Sequence, residues 1–152
     1  MDIYAKLKEL GYELPPLPPK GGIYKPVCQV GNLLYVSGQG ATVRGVPEFV
    51  GKVGAEKTIE EGQKAAELCA LNALSTLEDY LGDLNKLKRL VKTLGFVASA
   101  DNFNAQPQVM NGCSGFFRDL MGDDGVGARS AIGVNELPGN ITVEVEFIFE
   151  VE

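Results

Sequence analysis

The sequence predicts an α+β sandwich: one mixed β-sheet with two helices on one face, in the order β-β-α-β-α-β-β, behind an N-terminal helix and a proline arm. Three observations carry this. A long amphipathic stretch, Thr58 to about Leu81, opens on a capping box, because Glu61 stands three residues after Thr58. The last stretch alternates: Ile141, Val143, Val145, Phe147, Phe149 and Val151 take one parity, and Thr142, Glu144, Glu146, Ile148, Glu150 and Glu152 the other. Between and before these lie hairpin signals and single helices rather than a regular βαβ alternation. The 152 residues fit one domain, with 1–20 as helix and arm and 21–152 as the core.

Ile3, Leu7 and Leu10 recur at helical spacing, Asp2 is placed to cap, and Gly11 ends a short helix over 2–10. Four prolines between Leu14 and Pro19 then exclude helix and central strand and predict an extended surface arm. Tyr24–Val30 and Leu33–Ser37 read as strands joined by Gly31-Asn32, a two-residue hairpin turn. The second ends in Ser37-Gly38-Gln39-Gly40, where glycine suits a bulge or a close approach of the backbone to a ligand. Residues 41–57 read as a long irregular loop with one short extended piece. After the long helix, closed by Gly82, residues 87–100 carry Val91, Thr93, Phe96 and Val97 and predict a strand. Asp101 to Pro107 turns and caps a helix over roughly 105–121, with Val109, Met110, Phe116, Phe117 and Leu120 on its apolar face. The final two strands flank Leu137-Pro138-Gly139-Asn140, read as a turn that would pair them.

Hydrophobic content is 45% and charged content 22%, ordinary for a globular chain. A net charge of −6 argues against nucleic acid as the main partner, because phosphate binding wants a basic face. The one basic cluster, Lys86 to Arg89, reads as a solvated strand entrance. No uncharged apolar run approaches the ~18 residues a membrane span requires, and the N-terminus lacks a signal-peptide pattern. Cys28, Cys69 and Cys113 are odd in number and widely spaced, which predicts free thiols in a reducing cytosol, with Cys28 and Cys69 as core residues. Histidine is absent, which removes the commonest general base, metal ligand and triad partner. Any catalysis must then run on carboxylates, Arg, Tyr, Lys, Cys, backbone groups and water.

Two charges inside strand-like runs stand out, since buried charge is costly unless paired or used. Arg129 reads as an edge-strand arginine or as a guanidinium that grips a carboxylate through two parallel hydrogen bonds. Glu144 reads as a solvated strand residue or as a carboxylate that activates water. If the last two strands paired across their turn, Arg129 would face residue 148 and Glu144 residue 133, so the two would not be direct partners. Tyr24 is a packed aromatic or a pocket wall with a polar tip. Ser37 has no histidine to activate it and offers at most a hydrogen bond, beside an accessible Gly38 backbone. Asn111 lies on the second helix, facing either a site or solvent.

These blocks resemble the Rid family, also called YjgF/YER057c/UK114 and labelled endoribonuclease L-PSP, over about residues 21–151. Tyr24 to Gln39 looks like the family's first hairpin with its Ser-Gly-Gln ending, and Val91 to Phe117 looks like its middle segment. Ala128-Arg129-Ser130, Leu137-Pro138 and Val143-Glu144-Val145-Glu146 look like its C-terminal signature. The resemblance implies a chorismate-mutase-like fold and a homotrimer with sites between subunits. It also implies an enzyme without metal or organic cofactor that hydrolyses reactive enamines and imines, such as 2-aminoacrylate, to 2-keto acids and ammonia; the cytoplasmic location follows from the cysteines. Arg129 would hold the substrate carboxylate, Glu144 would orient or activate water, and Tyr24, Ser37, Gly38 and Asn111 would complete the pocket. Two departures set the chain apart: Ala131 stands where many members carry cysteine, and the N-terminal helix, arm and 41–57 loop exceed the short deaminases. A non-catalytic binder of small carboxylates would keep Arg129 and have no need of Glu144. Ribonuclease activity fits poorly with the acidic balance and the missing histidine.

Overall fold

The computed structural model describes all 152 residues. Its helices are α1 (Ile3–Glu9), α2 (Ile59–Leu81) and α3 (Gln106–Met121). Its strands are β1 (Val27–Val30), β2 (Leu33–Gly40), β3 (Thr42–Val43), β4 (Val46–Pro47), β5 (Leu87–Ala98), β6 (Ala128–Val134) and β7 (Val143–Val151). Five strands form one mixed sheet in the order β1-β2-β7-β5-β6, and β3 and β4 form a small separate hairpin. No helix is long and apolar enough to cross a membrane.

The helix ends follow local chemistry. Asp2 accepts from the backbone N–H groups of Tyr4 and Ala5 to start α1. Thr58 and Glu61 make the reciprocal capping box of α2, and Gly82, at φ 79°, ends it in the left-handed conformation. The start of α3 differs from expectation: the cap is Ala105, without a side-chain hydrogen bond, and Pro107 fills the first turn where its missing N–H costs nothing.

The alternating residues of β7 behave as their parity predicts. Val143, Val145, Phe147, Phe149 and Val151 are buried under α2 and α3. Phe117 of α3 sits edge-on to both Phe147 and Phe149, with ring centroids 5.5 Å away in each case. Burial of each such ring contributes about 1.5–3 kcal/mol. The two helices approach closely because Gly112 lies against the Gln63 carbonyl, where no side chain would fit.

The final hairpin does not form. β6 pairs with β5 in parallel, Arg129 opposite Thr93, and β7 pairs with β5 on its other side and with β2. β5, α3 and β6 thus make a strand–helix–strand unit, and the crossover through α3 demands parallel pairing. Residues 135–142 carry the chain across the end of β5 rather than around a tight turn. Two smaller expectations also change, and a third gains a detail. Cys28 is exposed, opposite Tyr35 on the uncovered face of the sheet. Tyr24 precedes β1 rather than beginning it. The basic cluster is partly paired, since Arg89 Nη2 and Lys88 Nζ lie 2.7 Å and 3.2 Å from the Glu150 carboxylate.

The N-terminal segment is docked. Ile3 and Leu7 are buried, and the Tyr12 ring sits edge-on to Phe116 at 4.9 Å while its hydroxyl donates to Glu67 at 2.8 Å. Ser75 Oγ then donates to the Pro15 carbonyl at 2.7 Å, so the arm is tied to α2 along its course.

Candidate active site

One cleft, with a cavity of about 320 Å³, gathers Tyr24, Gly38 and Glu144. Its construction begins with a bulge in β2. Val36 pairs with Phe147 and Gln39 with Val145, so Ser37 and Gly38 together oppose Glu146. The bulge turns Gln39 inward, where it is buried, and brings the Gly38 backbone against the Glu144 side chain. A Cβ at residue 38 would clash with Glu144 Oε2, so glycine is what lets the carboxylate sit there. Tyr24 is fixed from the arm side, its hydroxyl accepting from the Gly21 N–H at 3.1 Å. Asn72 of α2 donates to the carbonyls of Gly40 and Thr42 and fastens the strand that forms the cleft floor.

The Glu144 side chain is half-buried and enters no hydrogen bond or ion pair with the protein. Burial pushes its carboxyl above the usual range, and the neighbouring Glu146 charge adds to the effect. A carboxylate kept unpaired in a cleft, with its affinity for protons raised, has the properties of a general base.

Arg129 lies elsewhere. Its Nη1 donates to Asn111 Oδ1 at 2.8 Å and to Ser114 Oγ at 3.3 Å, both on α3. The guanidinium is exposed and forms no ion pair with a carboxylate, and Nε and Nη2 remain open. Such an edge suits a two-point grip on an incoming carboxylate. Arg129 is opposite Thr93 on β5, and Glu144 is opposite Phe96 on the same strand. Three residues of offset put the two side chains on opposite faces of the sheet. Two strand spacings across and three residues along separate their Cα atoms by about 14 Å. Arg129 projects toward α3, and Glu144 lies on the face no helix covers.

Asn111 is therefore held beside Arg129, which its sequence pattern left open. Ser37 joins neither group. Its hydroxyl donates to the Lys25 carbonyl at 2.6 Å, and it lines a neighbouring hollow with Cys28 and Tyr35. Sequence reasoning missed Ser114 as an Arg129 partner. It also missed Pro18 and Pro19, which line the Glu144 cleft. The helical offset of Ser114 from Asn111, three residues, was the available signal for the first. Cys69 and Cys113 are buried, and burial raises both thiols, so neither is a ready nucleophile. No three His, Cys, Asp or Glu side chains come together in a metal-binding group.

The family model described as "YjgF/chorismate_mutase-like, putative endoribonuclease" matches residues 4–150. Protein TCP17 of Trypanosoma cruzi is 37% identical over 155 residues, covering 97% of this chain and 93% of its own. A 2-iminobutanoate/2-iminopropanoate deaminase of Dermatophagoides farinae is 32% identical over 139 residues, covering 90% of this chain and 93% of its own. Among solved structures, the Agrobacterium tumefaciens protein Atu1372, of unknown function, superposes with a TM-score of 0.91 at 42% identity, over 99% of this chain and 92% of the other.

Proposed function

The chain belongs to the YjgF/chorismate-mutase-like family, and from that premise we propose that it hydrolyses small 2-imino acids, and the enamines that tautomerise to them, to 2-keto acids and ammonia. The observation that carries the reading is the division of labour across the sheet. Arg129 offers an unused guanidinium edge on one face, and Glu144 an unpaired carboxylate in a cleft on the other. Neither half suffices alone. A second copy that set its Arg129 edge against this Glu144 cleft would complete a site. The uncovered sheet face, with Tyr35 and Ile132 exposed, supports such association, and a homotrimer closes it with every cleft filled.

In that site the substrate carboxylate rests on Nε and Nη2 of Arg129. The protonated imine carbon is already electrophilic. Water adds to C2 as Glu144 takes one of its protons, giving a carbinolamine. Glu144 passes that proton to nitrogen, the C–N bond breaks with its electron pair leaving on ammonia, and Glu144 takes the hydroxyl proton as that oxygen becomes the keto group; ammonia carries the proton away as ammonium. An enamine enters the same route once its methylene carbon gains a proton. No metal or redox partner is required for the balance. Three cysteines without a disulfide fit a reducing compartment such as the cytoplasm.

The test uses subunit mixing. Arg129→Ala and Glu144→Gln chains, each strongly impaired alone on subsaturating 2-aminoacrylate generated by a serine dehydratase, are co-refolded. Random assembly into cyclic trimers restores about a quarter of the wild-type sites. No keto-acid release by the wild type sinks the deaminase reading. Restoration absent while both variants assemble normally sinks the shared site. Carboxylate binding without turnover in any form would favour a sensor.

A further inference from the structure

The Glu144 cleft has a wall that the proposed reaction does not use. Pro18 and Pro19 of the arm line it, with Gly45 and Pro47 of the β3–β4 hairpin beside them. The wall is built, not incidental. Gly45, at φ 80°, leaves room for the Pro19 ring, which a Cβ there would meet at 2.8 Å. Behind it, the Ser75–Pro15 hydrogen bond and the Tyr12 contacts hold the arm on α2 and α3. Proline rings fix their own backbone, so contacts with them cost little ordering.

Size and charge of the cavity constrain what lies against that wall. In the single chain the space is about 320 Å³, more than the whole of 2-aminoacrylate needs beside Glu144. Glu144 is the one charged side chain that lines the cleft, and no lysine or arginine does. A negatively charged substrate side chain would lose its water there, meet no counter-charge and face a carboxylate.

Resting on the deaminase reading above, we infer that the arm and the β3–β4 hairpin form the side-chain pocket of the site. They select imino acids with uncharged side chains of several heavy atoms over 2-aminoacrylate and over those with acidic side chains. The carboxylate stays with Arg129 of a second copy, C2 sits at Glu144, and the side chain lies along Pro18 and Pro19.

The experiment compares kcat/KM of the intact protein on three imines. An L-amino-acid oxidase makes them from leucine, L-glutamate oxidase from glutamate, and serine dehydratase supplies 2-aminoacrylate; residual imine is trapped with semicarbazide. The wild type should favour the leucine-derived imine by roughly tenfold over each of the others. Pro18→Ala/Pro19→Ala should lower the leucine-to-aminoacrylate ratio about fivefold, through KM more than kcat. Ser75→Ala, outside the cleft, should shift the ratio the same way by less. If the double variant fails to fold, Pro47→Ala on the hairpin takes its place. A wild-type ratio at or below one, or a ratio unmoved in a folded Pro18→Ala/Pro19→Ala or Pro47→Ala variant, overturns the inference while leaving the deaminase reading intact. No turnover of any imine removes the reading it rests on.

Discussion

The Glu144 cleft and the Arg129 edge are built by opposite means. Glu144 is seated by backbone: a bulge in β2, a glycine at 38, and a floor fastened by Asn72. Its carboxylate forms no hydrogen bond or ion pair with the protein, and burial with the Glu146 charge holds its proton affinity high. Arg129 is seated by side chains: two hydrogen bonds from α3 aim an exposed guanidinium whose other edge is empty. The first is an acidic group given enclosure; the second is a cationic group given direction. Substitutions should separate them along those lines, with chemistry lost at one end and affinity at the other.

The largest effect is expected at the enclosed end. Glu144→Gln should lower kcat about 10²- to 10⁴-fold with KM little changed, in steady-state assays of keto-acid release. The same variant should melt slightly higher than wild type at neutral pH. A carboxyl whose pKa is raised by folding contributes its full stability below the unfolded value of about 4.3 and loses it as pH rises through the raised folded value. At pH 7 the ionised group is therefore a net cost that glutamine does not carry. Calorimetry showing a lower Tm would mean that Glu144 has a partner in the assembled protein.

Next comes Arg129→Ala, which should cut kcat/KM on the order of 10²-fold, mostly through KM. Equal losses in kcat and kcat/KM would move Arg129 from carboxylate binding into transition-state work and erase the contrast. A smaller effect follows from its supports. Asn111→Ala should raise KM about three- to tenfold, and Ser114→Ala less, because the Asn111 bond is shorter by half an ångström, 2.8 against 3.3 Å. The smallest concerns pH alone. A base must be ionised, so activity should fall as pH drops through the raised Glu144 pKa, above the ordinary glutamate range. Glu146→Gln removes a neighbouring negative charge and should move that acid limb to lower pH. A limb that stays in place would assign it to another group.

Faces were legible in the sequence; neighbours were not. The parity of β7 told which residues are buried, and the Thr58/Glu61 box told where α2 begins. Periodicity reports what a residue points toward, because burial decides it. It does not report which strand lies alongside. Leu137 to Asn140 has hairpin chemistry, with Gly139 and Asn140 both at positive φ, yet α3 between β5 and β6 had already committed β6 to parallel pairing. Cys28 failed for a related reason: its strand is four residues long, too short for alternation to assign a face. At the site, Arg129 and Glu144 stood out as charges in strands. Their placement on opposite faces depends on β5 lying between them, which only the fold supplies. The arm was recognisable as extended and rigid, but its contact with the Glu144 cleft rests on Ser75 and Gly45, residues with no distinctive local pattern.

The sheet order has a consequence for how the molecule comes into being. β7, the last strand in the chain, lies in the middle of the sheet, between β2 and β5. Until residues 143–151 are available, β1–β2 and β5–β6 are two separate ribbons, each with an open hydrogen-bonding edge, and α2 and α3 have no continuous floor to pack on. Closing the sheet joins segments more than a hundred residues apart, Leu34 to Phe149 for example, so the step is slow in entropy and all-or-none in outcome. The same closing strand carries Glu144. A chain that has not finished folding therefore has no enclosed carboxylate, and assembly of the sheet and of the Glu144 cleft are one event.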